Sequence, residues 1–458
     1  MTIPRVIVAG EETGCGKSTV ALALMGALRN TGTTVQGFKT GPDYIDPSYY
    51  RAVTSRPGRN LDLWMLSPET VLELFVHNAE SADVAVIEGV MGLYDGAYPD
   101  GRGSTAHLAT VLRAPVLLVL DAWRSSSSLG AKALGFRAFD PAVAIQGVIL
   151  NGIAGEAHER SAREAVERAG LPVVGAIPMI AELRLPERHL GLIPFQESPV
   201  AEARCRQIVE RVRPHLDLAE ILRIARRAPP LPDITPILFT EPQSGCALRV
   251  GVARDEAFTF YYEDNLDLLR HWGFQVTEFS PLHDSSLPPA DLLYLGGGFP
   301  EVFAEPLSRN RAMKEALLRF QDAGGLVYGE CGGFMYLGEM LTDAHGQCWP
   351  MAGLLPIRTA MAERLQALKY KEVEVLRQGA FFEPGDRLRG HEFHYSRLVA
   401  EAGPHALRSV DSTGQVEEEG VAKGATFASY THVHLASNPA LLPKLATRLR
   451  SRVAGKKG

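Results

Sequence analysis

Cysteine is scarce in this 458-residue chain, and its five cysteines are scattered. Cys15, Cys205, Cys246, Cys331 and Cys348 are odd in number and never form a CxxC pair. That pattern argues against a disulfide framework and against a zinc ribbon. Long apolar runs are missing too; none reaches the ~18 residues of a membrane-spanning helix. Positive charge is not in excess. Lys and Arg total 47 against 53 Asp and Glu, a formal net charge of −6, so there is no electrostatic case for nucleic acid or an anionic membrane. No leader-like stretch stands before the first apolar run, and a cytoplasmic protein is expected. There is no low-complexity tract and no internal repeat. What is present is an ordinary globular composition, 46% hydrophobic and 22% charged. The length suits two or three domains of ~100–200 residues each.

The first half alternates apolar runs with helical stretches. RVIVAG (5–10), VQGFKT (35–40), DVAVIEG (83–89), PVLLVLDA (115–122), IQGVILNG (145–152) and PVVGAIP (172–178) read as strands of a parallel sheet covered on both faces. Residues 1–227 therefore form one doubly wound α/β domain. Pro-rich residues 228–247 read as an extended linker. A second alternating pattern starts at LRVGVA (248–253) and continues through QVTEFSP (275–281) and DLLYLGGG (291–298), with a more β-rich stretch later. It defines a second α/β domain over 248–440. Residues 441–458 are basic, and from Arg448 to Lys457 they read as a solvated, frayed tail.

Two segments carry chemistry. In LVYGECGGFMYLG an apolar strand ends at Gly329–Glu330, Cys331 follows, and helical spacing begins beyond Gly332 and Gly333. This is a nucleophile elbow built around sulfur. Glycines at 329 and 332 permit the turn, and the helix N-terminus is expected to lower the thiol pKa. The other segment follows the first strand: Gly10-Glu-Glu-Thr-Gly-Cys-Gly-Lys-Ser-Thr19. A Gly-rich loop between strand and helix cradles phosphates with its N–H groups. Thr13, Gly14, Cys15, Gly16, Lys17, Ser18 and Thr19 are the nucleotide contacts. Lys17 neutralises the β/γ-phosphates and Ser18 ligates Mg2+. Asp43 and Glu88, each just past an apolar run, complete the metal's oxygen shell. Asn151 faces the adenine edge, or is a plain turn residue. Five residues, not four, separate Gly10 from Gly16, so the loop resembles the variant form of dethiobiotin synthetase and its relatives.

Further motifs are GPDYIDP (41–47), NLDLWM (60–65), EGVMGLYDG (88–96), GSTAHLA (103–109) and PERHLGL (186–192). The second domain adds FYYEDNLDLL (260–269), GGGFPE (296–301), ECGGFMYLGE (330–339), GHEFHYS (390–396) and SYTHVH (429–434). Together they resemble the cobyrinate a,c-diamide synthase family over nearly the whole chain. The resemblance implies a P-loop NTPase-like domain followed by a flavodoxin-like class I glutamine amidotransferase domain. It implies that ATP and Mg2+ activate a corrinoid carboxylate as an acyl phosphate, which ammonia from glutamine converts to an amide, at the c and a acetates in turn. Its substrates are a corrinoid polycarboxylate, glutamine and ATP, and a homodimer is compatible with it.

By the same resemblance Asp46 and Asp95, with Tyr44, lie where the corrinoid carboxylate enters. Lys39, at the end of the second strand, meets phosphate or carboxylate. Cys331 takes His432 as its base, with an oxyanion hole at Gly332 and near Gly298. Many class I enzymes carry Glu two residues beyond that His; here the place holds His434, and what orients His432 is open.

Other readings remain in view. Hydrogenobyrinate and nickel-sirohydrochlorin a,c-diamide synthases share these motifs, and nothing in the sequence reads a central metal. A partitioning-type P-loop ATPase switch, with a non-catalytic second domain, would carry a signature Lys where Glu12 stands and would have no use for Cys331. His391, His394, His432 and His434 have ligand-like HxxH and HxH spacings, without a supporting carboxylate pattern. The plainer reading of His391 and His394 is packing near the domain interface.

Overall fold

The computed structural model describes residues 2–97, 100–180, 187–188, 191–241, 248–379 and 381–455. Cys246 and residues 186, 189 and 190 of the PERHLGL motif lie outside them. The chain divides into two compact units, Met1–Thr235 and Pro236–Gly458. No described helix is long and apolar enough to cross a membrane.

Unit 1 is built on a seven-stranded, all-parallel sheet. Its strands are β1 (Arg5–Gly10), β2 (Val35–Thr40), β3 (Arg59–Leu61), β4 (Val84–Glu88), β5 (Val116–Asp121), β6 (Ile145–Ile153) and β7 (Val173–Pro178). Their order is β3-β2-β4-β1-β5-β6-β7. The central strands are buried along their length, as their unbroken Val, Ile and Leu runs require. The chain leaves β1 towards β2 on one side and, after β4, crosses to β5 on the other. The loops after β1 and β4 therefore part at the C-terminal edge, the crevice where open α/β sheets bind ligands. Helices α1 (Lys17–Arg29) and α2 (Ile45–Thr54) start at that edge.

Arg5 ties the far end. It is fully buried, and its guanidinium donates to the carbonyls of Leu112 (2.7 Å), Ile3 (2.8 Å) and Pro229 (2.5 Å). The start of the Pro-rich stretch is thereby held on unit 1, with Ala228 and Leu231 buried. It is not a free linker at that point.

Unit 2 has a ten-stranded sheet with a parallel half and an antiparallel half. The parallel half runs Phe274–Phe279, Leu248–Ala253, Leu292–Leu295, Leu326–Glu330 and Thr426–Ser429 in spatial order. The antiparallel half continues through Val416–Lys423, His405–Asp411, Ala367–Val375 and Arg387–His394 to the short strand His432–Val433. The sheet curls back on itself. Its last strand begins three residues after Ser429, and Val433 N donates to Glu330 Oε1 at 3.0 Å in the parallel half. A four-stranded sheet, with Met340–Thr342 and Ile357–Met361 at its centre, stands beside it.

The basic C-terminus is not frayed at its start. Leu441–Gly455 is a helix, with Leu441, Leu442, Leu445, Ala446 and Leu449 buried. Those residues follow helical spacing beneath the basic ones. Arg448, the first residue expected to fray, pairs with Asp386 at 2.7 Å and Glu383 at 2.9 Å.

Two candidate active sites

The loop after β1 turns through two left-handed glycines, Gly14 (φ 88°) and Gly16 (φ 97°). Gly16 is required twice over: its φ suits only glycine, and a Cβ there would stand 2.3 Å from Asn151 Nδ2. Asn151 Nδ2 donates to Cys15 O at 3.0 Å. Its amide thus braces the phosphate loop. Lys17 is the first residue of α1, and its Nζ donates to Glu12 O at 2.9 Å. Burial, with Lys39 nearby, lowers its pKa against the pull of Cys15, Glu88 and Asp46.

Beside the loop lies a dense ionic cluster. Lys39 Nζ, at the end of β2, sits 2.5 Å from Asp46 Oδ2, 2.6 Å from Glu88 Oε1 and 3.8 Å from Asp43 Oδ2. Ser18 Oγ donates to Glu88 Oε1 at 2.6 Å and lies 3.4 Å from Asp46 Oδ2. Tyr50 OH closes the far side on Glu88 Oε2 at 2.6 Å. Burial opposes the Lys39 charge, but Asp46, Glu88 and Asp43 outweigh it and its pKa rises. Burial also pushes Asp46 up; Lys39 at contact distance overrides it and holds the carboxyl below its ordinary value. Burial and then Asp46 raise Glu88, and likewise lift Asp43 to about 8. Asp43 is the outermost carboxylate, its side chain 32% exposed against 12% for Asp46 and none for Glu88. Ser18, Asp43 and Glu88 are thus in one cluster, with Asp46 closer to Ser18 than was foreseen.

Asp95 Oδ2 accepts from Gly92 N at 3.0 Å and closes the turn after β4; Leu93 N of that turn donates to Gly10 O at 2.8 Å. Tyr44, half-buried, immediately precedes α2.

In unit 2 the strand Leu326–Glu330 ends in a sharp elbow. Cys331 has φ 47° and ψ −102°, a backbone conformation that non-glycine residues rarely hold, and caps the helix Gly332–Leu337. Cys331 N donates to Ser429 O at 2.8 Å. The 296–298 loop packs on the elbow from the other side. A Cβ on Gly332 would lie 3.0 Å from Gly298 N, and Gly333 N donates to Gly296 O at 2.9 Å. The same loop seats His432: a Cβ on Gly297 would fall 2.3 Å from His432 Cε1. His391 stacks on the His432 ring, centroids 4.9 Å apart and planes at 13°. The loop therefore touches both the cysteine elbow and the histidine.

The thiol pKa runs opposite to expectation. Burial first, then the carboxylates of Glu301 and Glu392, push Cys331 well up, and the Gly332 N–H does not offset them. Burial pulls His432 far below its ordinary value, and His391 and His434 down to about 3. Burial thus favours the neutral thiol and the neutral imidazoles. His391 and His394 pack inside unit 2, on His432 and on Tyr430 (centroids 3.9 Å).

The profile of the CobQ/CobB/MinD/ParA nucleotide-binding domain matches residues 6–193, and that of the CobB/CobQ-like glutamine amidotransferase domain matches 249–440. The cobyrinate a,c-diamide synthase of Dehalococcoides mccartyi strain CBDB1 is 41% identical over 96% of this chain and 97% of its own. Those of Listeria innocua and Salmonella typhimurium are each 40% identical, over 96% and 95% of this chain and 98% and 96% of theirs. The chain belongs to the cobyrinate a,c-diamide synthase family.

Membership makes this chain an enzyme, a carbon–nitrogen ligase that takes its nitrogen from glutamine. Within the family's two domains, the phosphate loop and the Lys39 cluster fall in the nucleotide-binding match, and Cys331 and His432 in the amidotransferase match. Sequence reasoning missed Glu330. Its Oε2 lies 4.0 Å from His432 Nδ1, and it stands directly before the cysteine. It also passed over Tyr50, which shares α2 with Asp46 and reaches Glu88.

Proposed function

We propose that this chain amidates the a- and c-acetate carboxylates of cobyrinate, using ATP and glutamine, as a step of cobalamin biosynthesis. The observation that carries the reading is the pairing, in one chain, of a phosphate loop beside an acidic cluster and a cysteine elbow beside a histidine. The family relatives bear the same substrate in their names.

A carboxylate is a poor electrophile, and phosphorylation gives it a leaving group. That step asks for alignment and charge neutralisation rather than covalent help. The loop N–H groups from Thr13 to Thr19 and the Lys17 ammonium hold the phosphates. Lys39 neutralises charge on the transferred group or on the substrate carboxylate, which Tyr44, Asp46 and Asp95 border. The Ser18, Asp43 and Glu88 oxygens are hard donors that fit Mg2+, which supplies charge neutralisation at the phosphates. Among the described residues no three His, Cys, Asp or Glu side chains converge on one cation position. The Ser18, Asp43 and Glu88 oxygens would hold a magnesium ion only together with phosphate and water oxygens.

In unit 2 His432 accepts the Cys331 proton as sulfur attacks the glutamine amide carbon. The N–H groups of Gly332 and Gly298 receive the oxyanion. His432 returns the proton to nitrogen, ammonia leaves, and water cleaves the thioester to glutamate. Ammonia then displaces phosphate from the acyl phosphate to form the amide.

The test is an assay with ATP, glutamine and cobyrinate, hydrogenobyrinate or nickel-sirohydrochlorin, read by mass per amidation. Two amidations of cobyrinate are expected; turnover of another acid alone would overturn the substrate. Cys331→Ala should lose glutamine use and keep amidation with added ammonium. Loss of both would refute the division into two sites.

A further inference from the structure

Triad amidotransferases orient their histidine with a carboxylate, and the place where many carry it holds His434 here. That ring packs on Tyr262, centroids 4.6 Å apart, and its Nδ1 accepts from Ala436 N at 3.3 Å. Glu330 is a carboxylate within ion-pair reach of His432, Oε2 to Nδ1 4.0 Å, with both side chains 2% exposed.

We propose that Glu330, the residue directly before the nucleophile, is the positioning carboxylate of the glutaminase, holding His432 by Nδ1 and stabilising its imidazolium. The inference rests on the reading of Cys331 and His432 given above.

Glu330 is itself held firmly. Its Oε1 accepts from Tyr328 OH (2.8 Å) and Val433 N (3.0 Å), and its Oε2 from Tyr294 OH (2.7 Å). Val433 follows His432, so one carboxylate oxygen is tied to the backbone beside the base while the other faces its ring. A shift of about 1 Å brings Nδ1 within hydrogen-bond range, and catalytic contacts of this kind often tighten only when substrate binds. His391 stacked on the ring and Gly297 against it limit other movement.

The proton balance is simple. Sulfur gives its proton to Nε2 of His432 and Nδ1–H is held by Glu330, which in the active form stays ionised through the step. Burial lifts the Glu330 carboxyl to about 7, partly offset by Val433 N–H and the two tyrosines. The carboxylate is therefore present above about pH 7 and protonated below. Tyr261, Tyr294, Tyr328 and Cys331 face it, and His391 and His394 face His432.

The experiment compares glutamine hydrolysis across pH in the full chain and in Glu330→Gln, Glu330→Asp and Cys331→Ala. Ammonium-supported amidation and thermal midpoint serve as measures of integrity. The proposal expects Glu330→Gln to lose about 10²–10⁴-fold in kcat with KM little changed, the range of positioned acid–base groups. It also expects loss of the rise in rate near pH 7. Glu330→Asp should keep that rise at reduced kcat. Glu330→Gln within threefold of wild type with the same pH profile overturns the proposal. So does Glu330→Asp behaving as Glu330→Gln, which marks a purely structural carboxylate. If Cys331→Ala still hydrolyses glutamine, the reading beneath the proposal has failed instead.

Discussion

A single added methyl group should silence the glutaminase and leave the ligase running. In Gly297→Ala the new Cβ would lie 2.3 Å from His432 Cε1, 3.2 Å from Nε2 and 3.3 Å from Nδ1. Carbon atoms rest at ~3.5–4.0 Å, so something must yield by about 1 Å. The loop backbone is poorly placed to do so, because Gly297 N and O both pair with Phe260, at 3.2 and 3.0 Å. The ring must move, against His391 stacked upon it. Misplacing a catalytic group by about 1 Å costs ~10²-fold in rate. That is about 2.7 kcal/mol of transition-state stabilisation. Overpacking of this kind also removes about 1–3 kcal/mol of stability. The assay is kcat for glutamine hydrolysis, with ammonium-driven amidation in the same preparation as the control, since the residues of that reaction lie in unit 1. A glutaminase rate within threefold of wild type would refute the seating of His432 on this loop.

Lys39→Met removes the cation from among three carboxylates, and breaking a buried ion pair in this way costs about 3–5 kcal/mol. Urea denaturation should show that loss for unit 1, and an unchanged midpoint would mean the carboxylates do not depend on Lys39. Asp43→Asn should abolish amidation from glutamine and ammonium alike, and full activity would remove Asp43 from the site. The same variant tests linkage. The folded carboxyl titrates at about 8. Its unfolded value is ~3.9, so the folded state holds the extra proton between the two and stability falls as pH rises through that window. Asp43→Asn should flatten that fall, and parallel stability–pH curves for the two proteins would contradict it.

What the sequence disclosed was local. The strand-turn-helix around Gly10–Lys17 and the elbow at Cys331 each complete themselves within about a dozen residues, so apolar runs and glycines were enough to place them. Contacts between distant strands were not legible. Glu330 reads as an ordinary acid at a strand end. Its partner Tyr294 comes from the neighbouring parallel strand, and Val433 meets it only because the sheet of unit 2 curls back. Nor was the bond from Asn151 Nδ2 to Cys15 O legible, because it joins a strand end to a loop more than a hundred residues away. The C-terminal helix was hidden by composition: Leu441, Leu445 and Leu449 lay one helical turn apart beneath a basic surface. The Cys331 pKa was misjudged for the same reason as Glu330. A helix N-terminus can be read from the chain, whereas burial and the carboxylates of Glu301 and Glu392 belong to the folded site.

The two sites use charge in opposite ways, and the difference decides which measurement matters. The phosphate site holds Lys39 and Asp46 in their charged forms, as suits a transfer governed by electrostatic alignment. At the cysteine site burial favours the neutral thiol and the neutral imidazole. A thiolate–imidazolium pair is costly there, because both members are buried and burial favours the uncharged forms. Such a site needs a nearby negative charge once His432 is protonated. Glu330 changes its own charge near pH 7. A rate deficit in Glu330→Gln could come from any disturbance of the elbow. Loss of the rise near pH 7, with ammonium-supported amidation intact, is what removal of the carboxylate beside the imidazolium predicts and a general disturbance does not.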